Sequence, residues 1–326
     1  MSLGEFQLID RYFKRDYTKR DDVVLGIGDD AAVVRLPAGQ ELAVAIDTLV
    51  AGVHFPRDIA PRDIGHKALA VNLSDLAAMG AEPAWATLAL TLPEPDEQWV
   101  HAFASGFFAL ADSTGVALIG GDTTRGPMTI SVQVAGHVPQ GSALRRHGAR
   151  PGDQVWVTGT LGDAALALAG LQGRAEVAVT DRSTLGARLD RPIPRIAEGC
   201  ALRGLAHAAI DISDGLGADL GHLLDASGVG ATIHATRLPL SAAMERHLGT
   251  SGNWALPLGG GDDYELCFTA PESARGAIEA RFARLGTRCT AIGRIDERPG
   301  LRCIIADGEI IDPRTLGYQH FTGAGE

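Results

Sequence analysis

Residues 62–81 read RDIGHKALAVNLSDLAAMGA, and the architecture follows from how this stretch sits among its neighbours. Ile64, Ala68, Leu69, Leu73, Leu76 and Ala77 recur at helical spacing, which predicts a helix over 62–79. Gly80 is its stop signal. Asn72 and Asp75 lie one turn apart and project from a similar face of a helix that is otherwise apolar around them. Upstream, the apolar run Leu42–Ile46 reads as a buried strand that runs into Asp47. Downstream, Trp85–Leu92 reads as a strand, and 96–114 as a helix with Trp99, Phe103, Phe107 and Leu110 in its buried stripe. Val116–Ile119 is expected to be a strand ending at a Gly120-Gly121-Asp122 turn. Thr129–Val138 sets Ile130, Val132, Val134 and Val138 in alternation with mostly polar neighbours, the pattern of a half-buried strand. Residues 5–13 read as a short amphipathic helix with Phe6, Ile9 and Phe13 on one side.

Pro139 to Asp153 is rich in Gly, Pro and Arg, and it divides the chain into an N-terminal domain, 1–138, a linker, 139–153, and a C-terminal domain, 154–326. Beyond it, strands are expected at 155–158, 208–212, 264–269, 288–294 and 301–305. Helices are expected near 162–171, 193–206, 215–226 and 272–285, and the polar stretch 173–192 reads as a loop. The order is mixed rather than strictly alternating. It predicts an α/β protein with α+β-like mixed sheets and helices on one face.

The 326 residues suffice for two domains of ordinary size. Aromatics make up only 5%, so Ala, Val, Leu and Ile must fill the cores. A net charge of −11 disfavours a nucleic-acid partner, because a phosphate backbone needs a basic surface. The four cysteines, Cys200, Cys267, Cys289 and Cys303, form no CxxC pair, so small buried thiols in a reducing compartment are expected. Glu5, Asp10, Arg11 and Lys14 interrupt any signal peptide, and no apolar stretch is long enough to cross a bilayer. A cytoplasmic protein with no membrane partner is the expectation.

Six segments set aspartates beside glycine or at the end of an apolar run: Gly28-Asp29-Asp30, Asp47, Asn72-Leu73-Ser74-Asp75, Gly120-Gly121-Asp122, Asp211-Ile212-Ser213-Asp214-Gly215 and Gly259-Gly260-Gly261-Asp262-Asp263. Taken singly each has a plain structural role, such as an Asx turn or a helix N-cap at Ser213 or Asp214. Together they describe carboxylates that repel unless a cation joins them, and all-oxygen ligand sets suit Mg²⁺, Ca²⁺ or Mn²⁺. Glycines beside them let a backbone approach a phosphate. No Walker loop and no protein-kinase signature is present. Taken alone, His54 reads as a structural histidine, Arg145-Arg146 as a solvated pair or a phosphate clamp, and Tyr318 as a packing residue of the tail.

In this order the segments resemble the thiamine-monophosphate kinase family, within the aminoimidazole ribonucleotide synthetase-like ATP-binding superfamily. The resemblance runs through Gly4–Phe6, Leu25–Ala31, Asp47–Phe55, Lys67–Ala81, Gly120–Thr124, Asp211–Leu216 and Gly260–Leu266. It implies an N-terminal domain that dimerises by closing strands of two copies into a barrel, beside a C-terminal α/β domain. It implies phosphorylation of thiamine monophosphate by ATP, with several Mg²⁺ ions. Asp30, Asp47, Asp75, Asp122, Asp211 and Asp214 would then hold metal. Gly121, Asp122, Arg146 and Ser213 would meet ATP, while His54, Asp262 and Tyr318 would line the thiamine phosphate site. Two positions depart from the family pattern: Ala45-Ile46 replace hydroxyl residues before Asp47, and Asp262 stands where Glu is usual.

The acceptor in such a reaction is a phosphate monoester with a second pKa of about 6, so it is already a dianion at neutral pH. It needs no general base, and no catalytic residue of that kind is expected. Metals and positioning suffice for direct in-line transfer. The alternatives are another ATP-dependent synthetase of the superfamily or a catalytically idle nucleotide-binding protein.

Overall fold

The computed structural model describes residues 4–15, 20–305 and 308–317, which divide into two compact units, 1–76 with 81–143, and 77–80 with 144–326.

The first unit begins with a short helix α1, Glu5–Leu8, which widens into a π-helical turn over Ile9–Phe13. The expected amphipathic helix is thus present in two pieces, with Leu8 and Phe13 buried. Two short strands, β1 (Val23–Leu25) and β2 (Val33–Val34), pair with each other. The main sheet holds β3 (Gln40–Val50), β4 (Glu82–Leu92), β5 (Ala117–Arg125) and β6 (Thr129–Pro139) in the order β3-β6-β4-β5. Helices α2 (Pro61–Ala78) and α3 (Glu97–Thr114) complete the unit. Asp96 caps α3 by accepting from the backbone N–H groups of Gln98 and Trp99, and Gly115 closes it in a left-handed conformation.

The alternation in β6 has the consequence its sequence requires: Ile130, Val132, Val134 and Val138 are buried. Residues paired across the ladder share a face. The opposite face therefore carries Leu42, Val44 and Ile46, paired with His137, Ala135 and Gln133. These three aliphatics are exposed, Ile46 at 63%. Among the described residues no sheet closes on itself. The barrel implied by the resemblance is not formed by one chain, because four strands with two open edges fall short of closure.

The second unit is built on a seven-stranded sheet. Its elements in chain order are β7 (Gln154–Thr158), α4 (Asp163–Leu171), α5 (Val179–Asp190), α6 (Ile196–Leu202), β8 (Ala208–Ile212), α7 (Leu216–Ser227) and β9 (Gly230–His234). They continue with α8 (Ala242–Ser251), α9 (Ala255–Gly259), β10 (Glu265–Ala270), α10 (Arg275–Leu285), β11 (Cys289–Asp296), β12 (Gly300–Ile304) and β13 (Ile310–Ile311). The sheet order is β13-β12-β9-β11-β7-β10-β8, antiparallel except between β9 and β12. Both faces are covered, and β7, β8 and β10 are buried throughout. One face packs Val157, Ile210, Leu220 and Ile233. The other stacks Trp156 on Phe268 at 6.2 Å and Phe268 on Phe282 at 6.0 Å.

Three expectations are corrected here. The polar stretch 173–192 is no loop, since α5 occupies most of it and buries Leu185 and Leu189. Its polar face outweighed a thin apolar one. The segment 193–206 is helical only over Ile196–Leu202. The Gly120-Gly121-Asp122 turn lies inside a strand, for β5 runs on to Arg125. Strand β9 and helices α8 and α9 had no clear signal in the sequence.

Candidate functional site

In the first unit, Asp47 lies on β3, an edge strand of the main sheet. Its backbone N–H donates to Asn72 Oδ1 at 2.9 Å, and Asn72 Nδ2 donates to the Ala68 carbonyl at 2.9 Å. Asn72 is 1% exposed. An edge strand leaves alternate N–H groups without a ladder partner, and a side-chain amide from α2 supplies one. Asp75 sits one turn along the same helix, partly buried. The His54 ring is oriented by its own turn, with Nδ1 accepting from the Val50 N–H at 3.0 Å. Thr48 and Ser131 share a hydroxyl–hydroxyl hydrogen bond of 2.7 Å across the β3–β6 ladder. Asp29 and Asp30 are exposed, and Asp29 Oδ1 accepts from the Asp30 N–H.

Asp122 is exposed on β5, the other edge of this sheet. The residue before it explains the paired glycines. Gly121 has φ +150°, and a Cβ there would lie 1.9 Å from the Leu88 carbonyl oxygen. No side chain fits, so the backbone reaches closely along β4 and delivers Asp122 beyond it. Asp47 pairs with Val132, Val132 with Leu88, and Leu88 with Gly121. The two edge acids are therefore three inter-strand spacings apart, roughly 14 Å along the sheet. Strand pairing alone does not bring Asp47 and Asp122 onto one ion.

In the second unit, β8 ends at Asp211-Ile212, and the turn Ser213-Asp214-Gly215 leads into α7. Gly215 has φ +111°, and a Cβ would lie 2.7 Å from the Gly259 carbonyl carbon. The Ser213 carbonyl accepts from the Asp262 N–H at 2.8 Å. On the other side, Asp219 Oδ2 accepts from the N–H groups of Ser213 and Asp214, both at 3.0 Å. Asp219 is buried, and burial pushes its carboxyl up to about 8, with the charges of Asp211 and Asp214 adding to the effect. Asp211 is buried and Asp214 partly so.

The glycine-rich segment after α9 is strained where the sequence reading placed a substrate contact. Asp262 and Tyr264 have φ +66° and +49°, a left-handed region that Asp tolerates and that is costly for a bulky Tyr. The Tyr264 hydroxyl donates to Asp262 Oδ1 at 3.0 Å. Next to it, Asp263 is fully enclosed and accepts the Gly162 N–H on both oxygens at 2.9 and 3.1 Å. Burial holds its carboxyl well above the usual range. Glu265 is also buried, and Arg188 and Arg195 bind it at 2.7 and 2.6 Å.

Arg146 is exposed on the segment before β7. Its carbonyl accepts from the Ser227 hydroxyl at 3.2 Å, and Ser227 Oγ in turn accepts from the Gly148 and Ala149 N–H groups. Tyr318 lies outside the described residues. Among those described, no three His, Cys, Asp or Glu side chains gather closely enough to hold a metal on their own. The sequence reading assigned no role to Asp219 or Ser227. An acid in the first turn of the helix that follows Asp214-Gly215 was the available signal for Asp219.

The chain matches two family models, the N-terminal domain of AIR synthase related protein over residues 28–138 and the C-terminal domain over 150–306. It is 53% identical to thiamine-monophosphate kinase of Salmonella typhimurium over 325 residues, covering 98% of this chain and 99% of that protein. The crystal structure of thiamine-monophosphate kinase from Stenotrophomonas maltophilia K279a superposes with a TM-score of 0.84 at 52% identity, covering 90% of this chain and 93% of that one. A structure described as AaThiL complexed with AMPPCP and TMP superposes with a TM-score of 0.76 at 35% identity, covering 98% and 97%.

Proposed function

This chain belongs to the thiamine-monophosphate kinase family, and from that premise we infer that it transfers a phosphoryl group from ATP to thiamine monophosphate, giving ADP and thiamine diphosphate. The observation that carries the reading is near full-length identity of 53%. The candidate residues accord with it: acids and a glycine-bounded turn in the second unit, and a close-packed Gly121-Asp122 in the first.

Divalent metal fits the donor set. Asp211 and Asp214 lie close enough to buried Asp219 that their charges add to the effect of burial in raising its carboxyl. Oxygen donors with surplus negative charge suit Mg²⁺. On this reading Asp211 and Asp214 hold it in one unit, and Asp30, Asp47, Asp75 and Asp122 in the other. A divalent ion held by these residues would supply screening of the charge between two polyanions. The chain's residues bind and orient. Arg146, Gly121 and Ser213 serve the nucleotide, and His54, Asp262 and Tyr318 the acceptor. Each of these assignments is a proposal.

The acceptor phosphate attacks as its own dianion, so the turn needs no general base. The rate should rise as that phosphate ionises near pH ~6. A coupled assay with ATP, Mg²⁺ and thiamine monophosphate tests the activity. Asp122→Asn should lower the rate at least ~10-fold, or ~1.4 kcal/mol of transition-state stabilisation. Normal turnover in folded Asp122→Asn protein removes Asp122 from the set.

We also propose that two copies pair through the first unit. Leu42, Val44 and Ile46 form an exposed aliphatic row, and an apolar hollow of about 340 Å³ beside it is lined by Val34, Leu36 and Trp85 among others. A surface of this kind marks an interface, and a twofold contact would be self-complementary. Light scattering should give a dimer mass, and Ile46→Glu should shift it toward monomer. A fully active wild-type monomer overturns the dimer. No described helix is long and apolar enough to cross a membrane, and the proposed location is the cytoplasm.

A further inference from the structure

Helix α7 carries a buried acid that the reaction described above does not use. Asp219 points back from the first turn of the helix to the strand–helix turn that precedes it. One of its oxygens, Oδ2, accepts two successive backbone N–H groups, those of Ser213 and Asp214. The Ser213 carbonyl, on the same peptide segment, is held from the far side by the Asp262 N–H. The turn is thus gripped by its donors and by its acceptor. Gly215 behind it is closed against Gly259 with no room for a side chain.

The cost of this arrangement is first the burial of a carboxyl group. Asp219 sits among Asp211 and Asp214, whose charges oppose its own. An acid placed only to begin a helix could face solvent, as Asp96 does at α3, where it accepts the N–H groups two and three residues ahead of it; Asp219 reaches instead five and six residues back, to N–H groups that precede its helix. Asp219 is instead 4% exposed. Both N–H groups of the turn are thus committed to Asp219.

We propose that Asp219 is a positioning residue. It fixes the Ser213–Asp214 backbone so that the Asp211 and Asp214 carboxylates and the Ser213 hydroxyl are presented in one arrangement to the metal–nucleotide substrate. The proposal rests on the metal and nucleotide reading of that turn, and it assigns Asp219 no contact with metal or phosphate.

The geometry separates this role from ligation. Because one oxygen accepts both N–H groups, an amide oxygen can do the same, so Asp219→Asn should keep the turn. Asp219→Ala removes the acceptor. Asp219→Glu keeps a carboxyl group but moves its oxygens by one methylene. The experiment is calorimetric titration of Mg²⁺–AMPPCP into each purified full-length protein, beside KM and kcat for ATP and a thermal melt without metal. Asn should bind within ~3-fold of wild type, while Ala and Glu should bind at least ~10-fold more weakly, about 1.4 kcal/mol. Their KM for ATP should rise by a similar factor. An Asn variant as weak as Ala overturns the proposal and makes Asp219 a ligand. Folded Ala protein that binds as wild type reduces Asp219 to a helix cap. If Ala does not fold, the Asn–Glu pair decides: Glu tight and Asn weak sinks the idea. Wild-type protein that does not bind Mg²⁺–AMPPCP counts against the nucleotide reading itself, an outcome distinct from any difference among variants.

Discussion

Asn72→Ala is the sharpest single perturbation of the first unit. Asn72 makes two hydrogen bonds of 2.9 Å, one from the Asp47 N–H and one to the Ala68 carbonyl. It does so at 1% exposure, so water cannot replace it without opening the α2–β3 contact. Alanine leaves the Asp47 N–H without that acceptor. A buried donor left unsatisfied costs about 1–3 kcal/mol. Loss of the amide also leaves a small void, which adds about 1 kcal/mol. The sum, about 2–4 kcal/mol, corresponds to a fall in Tm of ~7–14 °C for a unit of this size.

The second consequence is functional. Asp47 is held on an edge strand, and its N–H is the point at which α2 fixes it. With that point lost, the Asp47 carboxylate loses definition, and kcat/KM should fall ~10- to 100-fold. Half-saturation by Mg²⁺ should rise. Asn72→Asp makes the companion test. It keeps an acceptor for the Asp47 N–H but buries a charge, so it should be less stable at pH 8 than at pH 5. The assays are a thermal melt and a magnesium titration of the coupled rate. Asn72→Ala protein with wild-type Tm and unchanged magnesium half-saturation would refute the reasoning.

Gly121→Ala should cost about 2–5 kcal/mol, because a methyl group would overlap the Leu88 carbonyl and the backbone is outside the usual range; a melt within 1–2 °C of wild type would show that β5 can relax (~1 kcal/mol or less). Glu265→Ala should destabilise by about 3–5 kcal/mol, since it strands Arg188 and Arg195 around an emptied pocket; a denaturant melt in which it matches wild type would remove the ion pairs from the fold's support. The Asp263 carboxyl is raised by burial, so the folded chain holds a proton there that the unfolded chain has released above pH ~4. Its contribution is therefore full below pH ~4 and is lost as pH rises toward the folded pKa, and in metal-free buffer Asp263→Asn should flatten the decline in stability between pH ~5 and 8. An unchanged slope in that variant would exclude Asp263 as its source.

The long elements were legible because their apolar positions recur at a single period. The pattern of Ile64, Leu69, Leu73 and Leu76 required α2, and the alternation in Thr129–Val138 required β6, since only those periodicities bring the apolar positions together. The aspartate segments were legible as a set, because acids beside glycines at element ends have few purposes in common. Residue types and their order along the chain therefore determined the fold class, the main strands and helices, and the family.

Tertiary structure decided what depends on partners distant in sequence. Helix α5 shows only Leu185 and Leu189 to a core, too thin a stripe to outweigh its polar residues until α4 packs on it. The Gly120-Gly121 pair reads as a turn until Leu88 is found beside it, when the same glycines become the means of extending a strand. Asn72 and Asp219 act through backbone N–H groups 25 and 5–6 residues away, and a hydrogen bond to a main chain leaves no mark on the sequence of the residue it holds. Which acids share a neighbourhood was likewise undecided until strand order was known. Asp47 and Asp122 are members of one pattern in sequence, yet the order β3-β6-β4-β5 sets them on opposite edges of one sheet, because pairing, not proximity along the chain, fixes distance across strands.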